Sequence, residues 1–209
     1  MNQNQPNTLT PDYFKAVYAA STDPWNFAAS PYEQAKYAAS LAALPRPHYG
    51  RALEIGCSIG VFTALLAGRC GQLLGVDVSA EALAQAAARC AALPQVAFQQ
   101  RTLPAQFPAQ PFDLITLCEV GYYWNPADLA RAARRIEQAL PPGGQLLLVH
   151  WLPAVHDYPL TGDEVHNHFL GRTRGSGALR HLAGHRAEKY RIDVFEKRGW
   201  WDRAVGFWR

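Results

Sequence analysis

The chain is short of the features that would place it in a membrane, an export route or a metal scaffold. No apolar run approaches the roughly 20 residues needed to cross a bilayer, so no membrane partner is expected. The first residues, Met1-Asn-Gln-Asn-Gln-Pro, lack a basic segment followed by an apolar one. No signal peptide is expected, and a cytoplasmic location is. Four cysteines, at positions 57, 70, 90 and 118, show no C-x-x-C spacing, and reduced thiols are expected. Charged residues make up 18%, below the usual quarter, and there is no internal repeat or low-complexity tract. What remains is a 209-residue chain, 49% hydrophobic and patterned rather than continuous, which fits one domain with a sizeable core.

The net charge of +3 is uneven, with ten Lys/Arg against four acids from Arg172 onward. Those charges alternate with apolar residues as on a solvated sheet edge. Nucleic acid is therefore not an expected partner.

The informative stretch is Leu53-Glu54-Ile55-Gly56-Cys57-Ser58-Ile59-Gly60-Val61-Phe62-Thr63. An apolar strand from Ala52 to Ile55 breaks into a glycine loop, and the chain resumes as an apolar helix from Val61 to Ala67. Gly56 permits a sharp turn, and Gly60 is expected to let the helix start approach a ligand closely. Free N–H groups at that helix start would suit an anion or a hydroxyl. Seventeen residues on, Gln72 to Asp77 reads as a second strand ending in a carboxylate, placed to accept ribose hydroxyls. Together these features imply a nucleoside cofactor. The loop lacks the G-x-G-x-x-G of pyrophosphate binders, which disfavours a nucleotide-dependent oxidoreductase. An acid ahead of the loop, Glu54, suits a cofactor carrying an ammonium.

Along the chain, residues 1–11 are polar and expected to be disordered. Helices are predicted from Pro11 to Ala20, with Phe14 and Val17 on one face, and from Pro31, capped by Ser30, to about Leu44. With the aromatic loop Asp23-Pro24-Trp25-Asn26-Phe27, they form a predicted N-terminal lid over residues 12–48. The core is predicted at 49–199 and a C-terminal tail at 200–209. Ser79 caps an alanine-rich helix to about Ala92. Strands are predicted at 95–99 and 112–118, the latter delivering Glu119 to the carboxyl end of the sheet, before the aromatic run Tyr122-Tyr123-Trp124. Pro126 opens a helix to about Leu140, and a strand at 145–150 ends in His150. A capping box at Thr161 and Glu164 starts a helix through Leu170. The last strands are predicted at 179–186 and 190–198. The fold class is α/β: one Rossmann-like, doubly wound, mostly parallel seven-stranded sheet with an antiparallel last strand.

The run Glu54-x-Gly56-x-Ser58-x-Gly60 resembles motif I of the class I S-adenosylmethionine-dependent methyltransferases, with serine replacing the middle glycine. The chain from about Tyr13 to Arg198 is similar to their nodulation protein S branch. That similarity is carried by Asp23-Pro-Trp25, Ser30-Pro-Tyr32-Glu33 and Lys36-Tyr37, by the motif loop, and by Phe112-Asp-Leu-Ile with Cys118-Glu119-Val120 and Tyr122-Tyr123. The resemblance implies S-adenosyl-L-methionine as cofactor and S-adenosyl-L-homocysteine as product. It implies cofactor contacts from Glu54, Gly56, Cys57, Ser58 and Gly60, from Asp77 and Val78, from Trp25 and Tyr32 in the lid, and from Glu119. Thr102 and Leu103 would lie at the adenine end, where relatives carry aspartate in place of Thr102. Members of the branch methylate the amine of a deacetylated chito-oligosaccharide, so a small-molecule or oligosaccharide acceptor is expected, in a monomer or homodimer.

Methyl transfer to an amine needs an in-line approach and the loss of one proton. Glu119 is a candidate proton acceptor or a cofactor contact, and His150 a candidate base or a buried histidine. Tyr123 joins them as a candidate catalytic residue, and the aromatic run could stack on sugar faces or on the sulfonium. His166-x-His168 is not expected to bind metal, because positions two apart on a helix face away from each other. The rival functions are an O-methyltransferase of a small metabolite and a cofactor-binding partner or sensor without catalysis.

Overall fold

The computed structural model describes residues 7–199; the predicted C-terminal tail at 200–209 lies outside the described residues. The described chain forms two compact units, residues 10–107 and residues 108–199 with 7–9. The first unit contains α1 (Pro11–Ala20), α2 (Pro31–Ala43), β1 (Tyr49–Ile55), α3 (Val61–Leu66), β2 (Cys70–Asp77), α4 (Ala80–Arg89) and β3 (Val96–Gln100). The second contains β4 (Leu114–Cys118), α5 (Pro126–Ala139), β5 (Gln145–Trp151), α6 (Gly162–Gly171), β6 (Leu179–Arg186) and β7 (Tyr190–Lys197).

The strand order is β3-β2-β1-β4-β5-β7-β6. β1 pairs parallel with β2, β2 with β3, and β4 with β5, whereas β7 runs antiparallel to both β5 and β6. This is the expected seven-stranded, mostly parallel sheet with an antiparallel last strand. β4 and β5 are buried almost throughout, the continuous apolar pattern of strands covered on both faces. β1 starts three residues before the predicted Ala52, because Tyr49 already registers with Cys70 of β2.

The helices begin where their caps stand. Ser30 accepts from the Glu33 N–H, and the Asn125 side chain accepts from Asp128 N–H at 2.8 Å. Thr161 and Glu164 form the reciprocal box predicted for α6. On α1 the buried side chain is Tyr18, one residue beyond the predicted Val17.

The expected disorder does not hold for residues 7–11. Thr8 Oγ1 donates to Asp128 Oδ2 at 2.6 Å and accepts from the Asn125 N–H. Leu9 N–H donates to Tyr123 O at 2.9 Å, and Pro11 opens α1. The Thr8 hydroxyl and the Leu9 amide are thereby tied to α5 and the loop before it.

Candidate functional site

In the first unit the motif loop is wound left-handed at three places: Gly56 (φ 72°), Ser58 (φ 49°) and Gly60 (φ 77°). Four of its amides bond inside the unit. Gly56 and Cys57 N–H both donate to Val76 O, Ser58 N–H to Asp77 Oδ2, and Gly60 N–H to Cys57 O. These bonds involve the loop's amides, not those of Val61 to Thr63 at the helix start. A Cβ at Gly60 would lie 2.8 Å from Ala86 on α4, so glycine there also serves helix packing.

Ser58 tolerates the left-handed turn with two bonds that glycine could not both make. Its N–H meets Asp77, and its hydroxyl lies 2.5 Å from Tyr18 Oη, which ties α1 to the loop. Burial, and next Asp77, push the Tyr18 hydroxyl far above its ordinary range, so it stays protonated. Tyr18 was missed from the sequence; its signal was its place four residues after Phe14 on the same helix face.

The two acids predicted to hold the cofactor differ in environment. Glu54 is 3% exposed, and its Oε2, like Thr63 Oγ1, has no hydrogen-bond partner. Burial pushes the Glu54 carboxyl up to about 8; the Thr63 hydroxyl nearby opposes the rise and Asp77 adds to it. Asp77, half-buried, accepts Ser58 N–H on Oδ2 and Ser79 N–H on Oδ1, both at 2.9 Å. Burial raises its pKa, against the amides of Ser79, Ser58 and Val78. A carboxylate has about four lone-pair sites, so both oxygens keep acceptor capacity. A buried carboxyl with an unsatisfied oxygen can ionise against an ammonium, and Asp77 fits ribose hydroxyls. These residues fit S-adenosylmethionine.

The other predicted cofactor residues of this unit are placed as follows. Cys57 is buried, and burial first, then Asp77, raise its thiol well above the ordinary value, so it is no nucleophile. Val78, half-buried, accepts from Gln100 through its carbonyl. Thr102 is exposed and Leu103 half-buried; the loop is held by Thr102 N–H on Gln106 Oε1 at 2.7 Å. Trp25 packs edge-on to Tyr18 and stacks on Phe27 in a cluster with Ile59, Val61 and Ala82. The Tyr32 ring lies under Lys36 Nζ at 5.4 Å, and Lys36 is paired with Glu33 at 2.9 Å. The structure thus brings Glu54, Cys57, Ser58 and Asp77 together, while Thr102 bonds within its own loop, to Gln106.

In the second unit β4 delivers Glu119 in a left-handed turn, φ 57°. Its Oε2 accepts from Tyr122 Oη at 2.5 Å and from Trp151 N–H at 2.9 Å. Tyr122, Tyr123 and Trp124 are all buried. Tyr158 stacks on Tyr122 (5.0 Å, 22°) and meets Tyr123 edge-on, Oη to Oη 3.4 Å. Burial foremost raises both Tyr122 and Tyr123 well above 10, so neither is a base at neutral pH.

His150 is fully buried; its Nε2 accepts from Gly121 N–H at 3.0 Å and its Nδ1 faces His166 Nε2 at 3.1 Å. Both ring nitrogens are thus directed at protein groups. His166 continues to Asp193 Oδ2 at 2.6 Å, while His168 packs on Phe169 instead. Among the described residues no group of three or more His, Cys, Asp or Glu is arranged to hold a metal. Asp193 was also missed, though a carboxylate inside the apolar run Ile192 to Phe195 was its signal.

A family model described as nodulation protein S matches residues 14–153. Nodulation protein S of Rhizobium tropici is 32% identical over 130 residues, 61% of this chain and 55% of that protein. Trans-aconitate 2-methyltransferase of Azoarcus sp. strain BH72 is 38% identical over 149 residues, 70% of this chain and 53% of that protein. The chain therefore spans about half the length of these curated relatives. The crystal structure of the N-methyltransferase NodS from Bradyrhizobium japonicum WM9, in complex with S-adenosyl-l-homocysteine, superposes with a TM-score of 0.79. It is 23% identical and covers 90% of this chain and 98% of that one, a likeness of fold. Among the described residues no helix is long and apolar enough to cross a membrane. With a family match over more than half its length, the chain belongs to the nodulation protein S family.

Proposed function

We propose that the chain transfers a methyl group from S-adenosylmethionine to the amine of a small molecule or glycan, with a deacetylated amino sugar as the acceptor class. The observation that carries this is the buried Glu54 carboxyl, whose Oε2 has no hydrogen-bond partner, near Asp77 at one glycine loop, an acidic centre suited to a cationic ribonucleoside. When bound, the cofactor supplies an electrophilic methyl on a sulfonium and leaves as S-adenosylhomocysteine.

The chain's own residues then have three tasks. Glu54 pairs with the ammonium, which returns it to the ionised form, and Asp77 receives ribose hydroxyls. Residues 12–48 act as a lid, with Tyr18 on Ser58 as its latch and Trp25 packed against Tyr18. Water is excluded from the sulfonium when it closes. Glu119 accepts the proton that the amine nitrogen must lose as its lone pair forms the new C–N bond. The Tyr122, Tyr123 and Trp124 run, with Tyr158, offers aromatic faces for sugar C–H groups.

Similarity to trans-aconitate 2-methyltransferase supports a second reading, O-methylation of a carboxylate. The two differ at Glu119, since a carboxylate nucleophile has no proton to lose. Labelled S-adenosylmethionine with a glucosamine oligosaccharide and with a tricarboxylic acid separates them. For an amine acceptor, Glu119→Gln lowers kcat about 10²- to 10⁴-fold at unchanged cofactor affinity. Normal turnover of the amine by the variant would remove Glu119 as base.

A further inference from the structure

A line of buried polar groups runs through the second unit from the Gly121 amide to Asp193. Gly121 N–H meets His150 Nε2 at 3.0 Å, His150 Nδ1 meets His166 Nε2 at 3.1 Å, and His166 Nδ1 meets Asp193 Oδ2 at 2.6 Å. Both imidazoles are 0% exposed and Asp193 is 2% exposed. The far end is fixed by Arg191 Nε on Oδ2 at 2.7 Å and His181 Nε2 on Oδ1 at 2.6 Å.

The ends of this line set its polarity. An amide only donates and a carboxylate only accepts. His150 Nε2 must therefore be bare, its Nδ1–H donates to His166 Nε2, and the His166 Nδ1–H donates to Asp193. Both rings are neutral and both carry the proton on Nδ1. Burial lowers the His166 pKa despite the Asp193 bond. Burial works against ionising Asp193, yet His166, Arg191 and His181 hold its carboxylate below the ordinary range. No proton can be passed on to a substrate, because the line ends in a peptide amide.

We propose that His166 and Asp193 are positioning residues that lock His150 in the one tautomer able to hold the Gly121 amide, and so set the Glu119–Tyr123 loop. The loop is built to respond to that hold. A Cβ at Gly121 would lie 2.6 Å from Val165 Cγ1 and 3.0 Å from His150 Nε2, so the backbone is pressed against the imidazole. Tyr122, the next residue, packs edge-on to the His150 ring at 5.3 Å and donates to Glu119 Oε2. Releasing Gly121 therefore frees the carboxylate and the tyrosine together. Acid does this directly: an added proton on either imidazole sets two donors face to face somewhere between Gly121 and His166. The charged and titratable groups facing the pair are Asp193 and Arg191 from β7, His181 from β6, Asp163 from α6, and Glu119 and Tyr122 from the loop.

The test uses the full chain and two variants, and it rests on the methyltransferase reading only for its turnover arm. Nitrogen-15 NMR of labelled histidines should find His150 and His166 both protonated on Nδ1, with a slowly exchanging Gly121 amide. His166→Gln can offer a carbonyl to His150 and an N–H to Asp193, and it cannot titrate. It should keep the Gly121 protection and most of the turnover, with the acid limb of kcat displaced from that of the wild type. His166→Leu breaks the line, so Gly121 exchange should accelerate. With a glucosamine oligosaccharide as acceptor its kcat should fall about 10- to 100-fold, the scale of a misplaced reacting group, at unchanged S-adenosylhomocysteine affinity. A proton on Nε2 of His150 overturns the proposal. So does a Leu variant with wild-type Gly121 exchange, kcat and pH profile but a lower Tm, which is a purely structural role. If the Leu variant does not fold, the wild-type tautomers and the Gln variant decide. If the NMR results hold while even the wild type leaves the oligosaccharide unmethylated, the positioning proposal stands and the acceptor proposal falls.

Discussion

Glu54→Gln should stabilise the ligand-free protein while weakening its hold on the cofactor. The Glu54 carboxyl titrates at about 8 in the fold against an ordinary 4.5, chiefly because burial disfavours its charge. Each pH unit between the ordinary value and neutrality costs roughly 1.4 kcal/mol, so at pH 7 the wild type gives up about 3 kcal/mol at this residue. The folded value lies above the unfolded one. The neutral carboxyl's contribution is therefore complete below about 4.5 and is lost as pH rises through about 8. Glutamine has nearly the same shape and never ionises. Melting curves of the two proteins should coincide near pH 4.5 and diverge toward pH 8, with the variant the more stable. Binding reverses the preference, since an ammonium favours the ionised carboxylate. S-adenosylhomocysteine, which keeps that ammonium, should displace up to one proton from the wild type and none from the variant. Calorimetry in two buffers of different ionisation enthalpy measures this. The variant should bind about 1.5–3 kcal/mol more weakly, the scale of a hydrogen bond to a charged group. Parallel melting curves across that pH range, with no proton release on binding, would refute the account of Glu54.

Asp77→Ala removes the acceptor of two backbone N–H groups as well as the proposed ribose contact. S-adenosylhomocysteine affinity should fall by about 1–3 kcal/mol, and calorimetry showing no change would take Asp77 out of the site. Hydrogen exchange over residues 12–40 should slow when S-adenosylhomocysteine is added, because the lid is held to the loop through Tyr18 and Ser58. Equal protection with and without ligand would make the segment fixed packing.

The sheet and its helices were legible because their signals are local. Proline after a capping Ser30 or Asn125, the Thr161–Glu164 box and the apolar run of β4 each specify an element with little help from distant residues. The motif residues Glu54 and Asp77 were legible for the same reason, by spacing. What stayed hidden depends on partners far along the chain. Tyr18 meets Ser58 across 40 residues, and Tyr123 meets Tyr158 across 35. The packing role of Gly60 stayed hidden because the atom it makes room for, on Ala86, belongs to another helix. His150 could be counted as a base or as a buried residue from the sequence, but its tautomer is decided by Gly121 and His166, which only the fold brings to it.

Two non-glycine residues at the ends of strands, Ser58 after β1 and Glu119 after β4, share a left-handed backbone that their side chains disfavour. Such a conformation costs on the order of 1–2 kcal/mol and persists only where surrounding bonds over-determine it. Both sites meet that condition in the same way. Ser58 is held by Asp77 through its amide and by Tyr18 through its hydroxyl. Glu119 is held by Val149 through its amide, and by Tyr122 and Trp151 through its carboxylate. A third strained turn, at Asn26, lies beside the lid tryptophan and is braced by Asp23, whose carboxylate accepts from the amides of Phe27 and Ala28. Asparagine adopts that region readily, whereas serine and glutamate seldom do. A fold indifferent to these positions would place glycine at both strand ends. Keeping a hydroxyl and a carboxylate there, at a cost in backbone energy, makes sense if the side chains have work that glycine cannot do. For Ser58 that work is holding α1, the start of the proposed lid; for Glu119 it is presenting a carboxylate in one orientation, fixed by Tyr122 and Trp151.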